Sequence, residues 1–240
     1  MKRTERRHLK DNELERWASN VANAVEERKR ELTAVVVAVL IVGGAALGYV
    51  LYRNHVQGSA HAALADAIAI QESPVGPAAN PDAPESGQRF ATERAKAQAV
   101  LTKYKIAADG YPSTDAGIYA RYLEASTWMQ LGSPGEAATS FQLVIDRDGN
   151  GLYGQMARLG LAQAQAQSNQ LDAAIASYKS IIDKKDTAAP VDGVIMELGR
   201  AYLDAGKTAE AQQELNKLVQ EYPDSPFSVE ARQMLDALKK

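Results

Sequence analysis

Cysteine is missing from all 240 residues. That excludes disulfide frameworks, thiol nucleophiles and cysteine-ligated zinc, and it suits an oxidising compartment, where a stray thiol would mispair. Histidine is almost as scarce. His8, His55 and His61 stand far from any carboxylate cluster at metal-ligand spacing. The step from His55 to His61 is not the three or four residues that place two ligands on one helix face. There is no GxGxxG, P-loop, GxSxG or HExxH, so no phosphate cradle, nucleophile elbow or zinc-protease helix is expected. Asp146, Asp148, Asn150 and Gly151 begin like a calcium loop, but the twelfth position is Ala157 rather than glutamate, which reads as a solvated helix-to-helix turn. The expectation is a protein that is no enzyme, with no cofactor, no metal and no small-molecule substrate.

An excess of positive charge is missing too. With 27 Lys+Arg against 30 Asp+Glu and a net charge of −3, the basic face of a nucleic-acid binder is absent. The charges are unevenly placed, nine basic and seven acidic over residues 1–31 against 17 and 23 over residues 54–240.

What is present is one apolar run and a great deal of alanine. Residues 32–52 carry no charge; at 1.5 Å per residue they extend roughly 31 Å, enough for a bilayer core of about 30 Å. Tyr49 and Tyr52 end the run where aromatic rings favour the interface, and Gly44 and Gly48 make a GxxxG that can pack helix on helix. Arg28, Lys29 and Arg30 precede the run; after it comes Arg53, then no Lys or Arg until Arg89. The positive-inside rule therefore expects a cytoplasmic charged tail at 1–31, a transmembrane helix at 32–52 and an extracytoplasmic domain at 53–240. A cleaved signal peptide is the competing reading, with Ser59, Ala60, His61 and Ala62 as a cleavage-like stretch, but its apolar core is typically about 7–15 residues behind a short leader. In the tail, Leu14, Trp17, Val21 and Val25 share one helical face. Two readings stand for that face: a surface or partner helix, or a plain continuation of the spanning one.

Alanine, 42 residues of it, favours closely packed helices. It recurs with a period of 37: Ala137, Ala174 and Ala211; then Phe141, Tyr178 and Leu215; then Val144, Ile181 and Leu218. Gly132, Asn169 and Gly206 take the same step at expected helix ends, where a left-handed residue is needed. Each unit reads as two amphipathic helices. An earlier unit is split, with its first helix over 59–71 (Leu64, Ile68) and its second over 91–108 (Val100, Tyr104, Ala107). Between them, residues 73–88 hold four prolines and few apolar side chains, the composition of a mobile loop. Ser133, Pro134 and Glu136 spell an N-cap, N1 proline and capping-box acid, and a last helix is expected from Ser225-Pro226 to Leu238.

Leu198, Gly199, Tyr202, Gly206, Ala211 and Pro223, with Ala125, Trp128, Gly132, Ala137 and Phe141 at matching offsets, resemble the tetratricopeptide repeat. The middle unit keeps Ala162, Asn169, Ala174 and Tyr178 but has Gln165 where an aromatic is expected. The resemblance implies an all-α fold: an N-terminal transmembrane helix, then a tetratricopeptide-repeat-like α-solenoid closed by a C-terminal capping helix. Spanning helix plus repeat domain is similar to the single-pass inner-membrane proteins that serve as ancillary subunits of the bacterial Sec translocon. That resemblance implies a repeat domain in the periplasm and a scaffold or chaperone-like role. Partners would be proteins of the secretion or envelope machinery and extended apolar segments. An envelope-assembly or cell-division adaptor that oligomerises through its repeats is the alternative.

In this repeat class the first helix of each pair lines a concave groove. Here that implies Tyr119, Tyr122, Ser126 and Met129, then Met156, Leu159 and Gln163, then Met196, Arg200 and Leu203. The Lys and Asn of the family's carboxylate-binding grooves are missing from these positions. Methionine adapts to varied apolar partners, which suits extended hydrophobic ligands. The other reading is that these side chains only pack between adjacent helices.

Overall fold

The computed structural model describes residues 29–77, 88–184 and 189–239. Leu14, Trp17, Val21 and Val25 lie outside them, as do residues 78–87 of the proline-rich segment. Two compact units divide the chain, Met1–His55 and Val56–Lys240.

Among the described residues the fold is all-α. Helix α1 runs Lys29–Gln71, followed by α2 Glu93–Gly110, α3 Asp115–Gln130, α4 Pro134–Asp148, α5 Leu152–Gln167, α6 Leu171–Ile182, α7 Val191–Asp204, α8 Thr208–Glu221 and α9 Ser228–Ala237. The expected break between a spanning helix and a separate helix from residue 59 does not occur. Nothing in Arg53-Asn54-His55-Val56-Gln57-Gly58 removes a backbone donor as proline would, so the ladder continues. Over the apolar part of α1 the mean hydropathy reaches 2.5 with none of that window buried. Val39, Leu40, Ile41 and Val42 are each roughly two-thirds exposed. The helix is long and apolar enough to cross a membrane.

From α2 to α9 each helix packs on the next, and α3 also meets α5. The 37-residue period sets this stacking. Ala137, Ala174 and Ala211 are each at 0% exposure, and Phe141, Tyr178, Leu215, Val144, Ile181 and Leu218 are all buried beside them. One period upstream, Val100, Tyr104 and Ala107 are buried in α2 against Ala60, Leu64 and Ala67 of α1. Small residues let the two helices of a pair approach, and the larger residues fill the space on either side.

The turns inside each pair repeat as faithfully. Gly132 (φ 77°), Asn169 (φ 57°) and Gly206 (φ 71°) are left-handed. Their amides donate to Met129, Ala166 and Leu203 carbonyls, while the next amides, of Ser133, Gln170 and Lys207, donate to Trp128, Gln165 and Tyr202 at 2.8–2.9 Å. This is a Schellman closure in triplicate. Ser133 stands at the N-cap position with Pro134 behind it, but its side chain makes no capping hydrogen bond. Its backbone is committed to closing the previous helix, at φ −115° and ψ 67°, so the expected capping box is not formed. Between pairs, Gly117 and Gly154, also 37 apart, allow a close approach. A Cβ would lie 1.8 Å from the Tyr111 carbonyl oxygen in one case and 2.4 Å from that of Gly149 in the other.

The last helix starts at Ser228, later than expected. Ser225 is used instead to fix the approach, donating from Oγ to Asp192 at 2.7 Å and accepting the Phe227 amide at 3.2 Å.

Residues 73–77, within the free loop expected over 73–88, are structured. Gly76 N–H donates to the Phe90 carbonyl at 2.9 Å and Phe90 N–H to that of Pro74 at 3.0 Å, and Arg89 Nη1 reaches the Gly76 and Pro77 carbonyls at 3.4 and 3.3 Å. The bridge closes the segment at its base. Replacing residues 78–87 by a few Gly/Ser residues should therefore shift the melting temperature by only a few degrees, because halving a loop changes its closure cost by about 0.6 kcal/mol. A large loss of helical circular dichroism in that variant would show that the excised residues support the repeats.

Candidate interaction surface

The first helices of the pairs, α3, α5 and α7, carry every residue expected to line a groove, and the structure divides them. On α3 and α5 a half-buried aromatic group forms. Tyr119 stacks on Tyr153 with ring centroids 4.9 Å apart and planes 24° from parallel. Tyr122 tilts against Tyr153 at 6.4 Å and against Phe141 at 5.7 Å. Met156, 39% exposed, lies one turn along α5 from Tyr153. Ser126 and Gln163 are half-buried; Met129 packs on the core of α3, α4 and α5, and Leu159 on that of α5, α6 and α7.

Tyr153 was not among the expected residues. Its signal is weak, since the position 37 residues earlier is Ala116. Its partner in space, Tyr119, lies on a neighbouring helix at an unrelated offset. Burial pushes the Tyr153 phenol up, and neighbouring Tyr119, Asp115 and Asp148 push it the same way. The group is neutral at physiological pH, an apolar ring with a polar tip.

On α7 one of the expected groove residues is enclosed. Met196 is at 0% exposure, enclosed with Ile195, Leu215, Leu218, Ala231 and Leu235. The expectation that it faces a partner is corrected: the side chain is core because α9 brings Ala231 and Leu235 onto it. Arg200 is held in a double ion pair, to Glu197 one turn back and to Glu230 of α9, both at 2.6 Å. Leu203 packs on the core around Tyr178 and Tyr202. The packing-only reading thus holds for Met196; Tyr119, Tyr122 and Leu203 are half-buried against core clusters, and Met156 is the exposed member of the expected set, with Tyr153 beside it.

The turn that began like a calcium loop is used structurally. Asp148 accepts the Gly154 amide at 2.7 Å and so holds the start of α5, while Asp146 accepts from Gln142 at 2.8 Å.

A separate polar cavity of about 270 Å³ is lined by Gln71, Lys96, Tyr104, Ser126 and Gln130 among others. Tyr104 Oη is hydrogen-bonded to Gln71 Oε1, and burial, with a smaller contribution from Tyr119, pushes its phenol up to about 12. A raised phenol keeps its proton in the folded state after the unfolded chain has lost it, so its stabilisation is whole below pH 10 and fades above. Raising the pH from about 10 to about 11.5 should cost roughly 1.5 kcal/mol at this residue. Urea unfolding of Tyr104→Phe beside wild type should show an alkaline loss smaller by that amount; parallel losses would refute the assignment.

The profile of the family described as tetratricopeptide repeat-like domain matches this chain twice, over residues 29–185 and 114–234. No curated protein matches it. The overlapping matches agree with units that share one register, and the chain belongs to the tetratricopeptide repeat-like domain family.

Proposed function

We propose that this protein is a membrane-anchored, non-catalytic interaction scaffold of the bacterial cell envelope. It presents the Tyr119, Tyr122, Tyr153 and Met156 surface to extended apolar segments of proteins leaving the secretion translocon. The observation that carries the reading is the joining, in one chain, of an uncovered apolar helix to repeats of a family that generally serves protein–protein interaction. Half-buried tyrosines and an adaptable methionine suit ligands that vary in sequence. A tether would raise the effective concentration of the surface at its station toward the millimolar range. The charge pattern around residues 32–52 supports a cytoplasmic N-terminus and periplasmic repeats.

A photo-crosslinking residue at position 156, in cells with intact membranes, should capture secretion-machinery subunits or translocating chains. The same residue at Ile106, 57% exposed on α2, should not. Met156→Lys should reduce that capture about tenfold when tested by crosslinking from Tyr153. It should also leave stability within about 0.5 kcal/mol, as surface substitutions do. Crosslinks to copies of the same chain alone would overturn this reading in favour of the self-assembling envelope adaptor. Protease added to sealed spheroplasts should remove the repeats, and their survival would reverse the orientation.

A further inference from the structure

The 37-residue register allows one repeat to be read as a control for the next. In the first pair, Arg121 of α3 forms ion pairs with Asp109 and with Glu124. Glu124, at 3% exposure, also accepts from Ser140 Oγ of α4 at 3.3 Å. One period on, the arginine is kept as Arg158 and the serine as Ser177, but the glutamate is replaced by Leu161. Arg158 Nη1 is buried and has no hydrogen-bond partner among the described residues. Ser177, with no acid to meet, donates to Gln165 at 2.7 Å. This is the same Gln165 that replaces the aromatic of the neighbouring units.

Arg158 borders, with Leu161, Ala176, Ser177 and Ser180, a cavity of about 260 Å³. One period earlier Ser180 is Leu143, so this repeat carries a hydroxyl where the preceding one has a leucine. A buried guanidinium nitrogen left without a partner is costly, and the fork of donors to which it belongs matches a carboxylate.

We infer that the Arg158 cavity is a binding site for an acidic side chain of a partner polypeptide, whose carboxylate takes the place that Glu124 fills in the preceding repeat. Arg158 supplies the charge and the paired donors, Ser180 a further hydroxyl, and Leu161 and Ala176 the apolar walls for the methylene stem. The site rests on the reading of this chain as a protein-binding repeat, but it uses none of the Tyr119–Met156 surface.

The test is a titration of the isotope-labelled full chain in detergent micelles. N-acetyl-glutamate α-amide is the side-chain probe, and N-acetylglycine and sulfate are the competitors. The side-chain probe should give saturable shifts of the Ser177 and Ser180 amides and of Arg158 Nε–H, and Arg158→Gln should weaken binding at least tenfold. Leu161→Glu supplies the missing acid from within. It should raise the melting temperature, pair with Arg158 and weaken the probe at least tenfold, and it decides the matter even if Arg158→Gln does not fold. No saturable shift, equal binding by Leu161→Glu and wild type, or tighter binding of N-acetylglycine or sulfate would each overturn the assignment. Loss of this site with Met156 crosslinks retained would leave the proposed function standing; loss of the crosslinks with probe binding retained would do the reverse.

Discussion

Met196→Lys should be among the most damaging single substitutions in the repeats. The side chain is at 0% exposure in the apolar cluster of Ile195, Leu215, Leu218, Ala231 and Leu235. A lysine there should fold neutral, and giving up its proton near pH 7 costs about 4.6 kcal/mol for a group whose ordinary value is near 10.4. Against a total stability of about 5–15 kcal/mol, that predicts a fall of roughly 10 °C or more in melting temperature. The pH dependence identifies the cause. A lysine held below its ordinary value makes stability rise with pH, so the deficit relative to wild type should shrink between pH 7 and 10. Met156→Lys, on an accessible turn of α5, should show neither effect. Equal melting of Met196→Lys and wild type would mean that α9 does not cover α7.

Ala174→Leu should come next in severity. Ala174 is at 0% exposure within the cluster of Ala162, Tyr178, Val194 and Leu198. Three added carbons have no room unless α6 moves off its neighbours. Overpacking of this kind costs on the order of 1–3 kcal/mol, or a fall of roughly 3–10 °C for a domain of this size. In a linear array the strain of a central unit falls on both sides. Ala205→Leu, at the half-buried C-cap of α7, should cost much less, since the chain end there can adjust. If the two variants melt together, the 37-residue register does not mark the tight crossings.

Some of this architecture is written within a few residues of where it is read. Gly132, Asn169 and Gly206 mark helix ends because a left-handed φ and two hydrogen bonds spanning five residues are local properties of backbone and side chain. The alanine, aromatic and aliphatic positions that recur every 37 residues mark the crossings because periodic placement of size is itself a pattern in the chain. The apolar run of residues 32–52 needs no partner to be recognised. Gly117 and Gly154 belong to this class as well, being one period apart.

The candidate surface is a different matter. Whether a methionine on α7 faces solvent or core depends on α9, which arrives from beyond a further helix and an irregular turn held by Ser225 and Asp192. Glu230, which holds Arg200, comes with it. Tyr119 meets Tyr153 only once α3 packs on α5, and the lone guanidinium of Arg158 is visible only beside the Arg121–Glu124 pair of the folded preceding repeat. Helix type and the left-handed ends at Gly132, Asn169 and Gly206 follow from interactions inside one or two turns, and the repeat register from a pattern in the chain itself; the unbroken α1 and the late start of α9 do not follow from such signals. Burial and partnership are sums over helices distant in sequence, and those only the packed repeats decide.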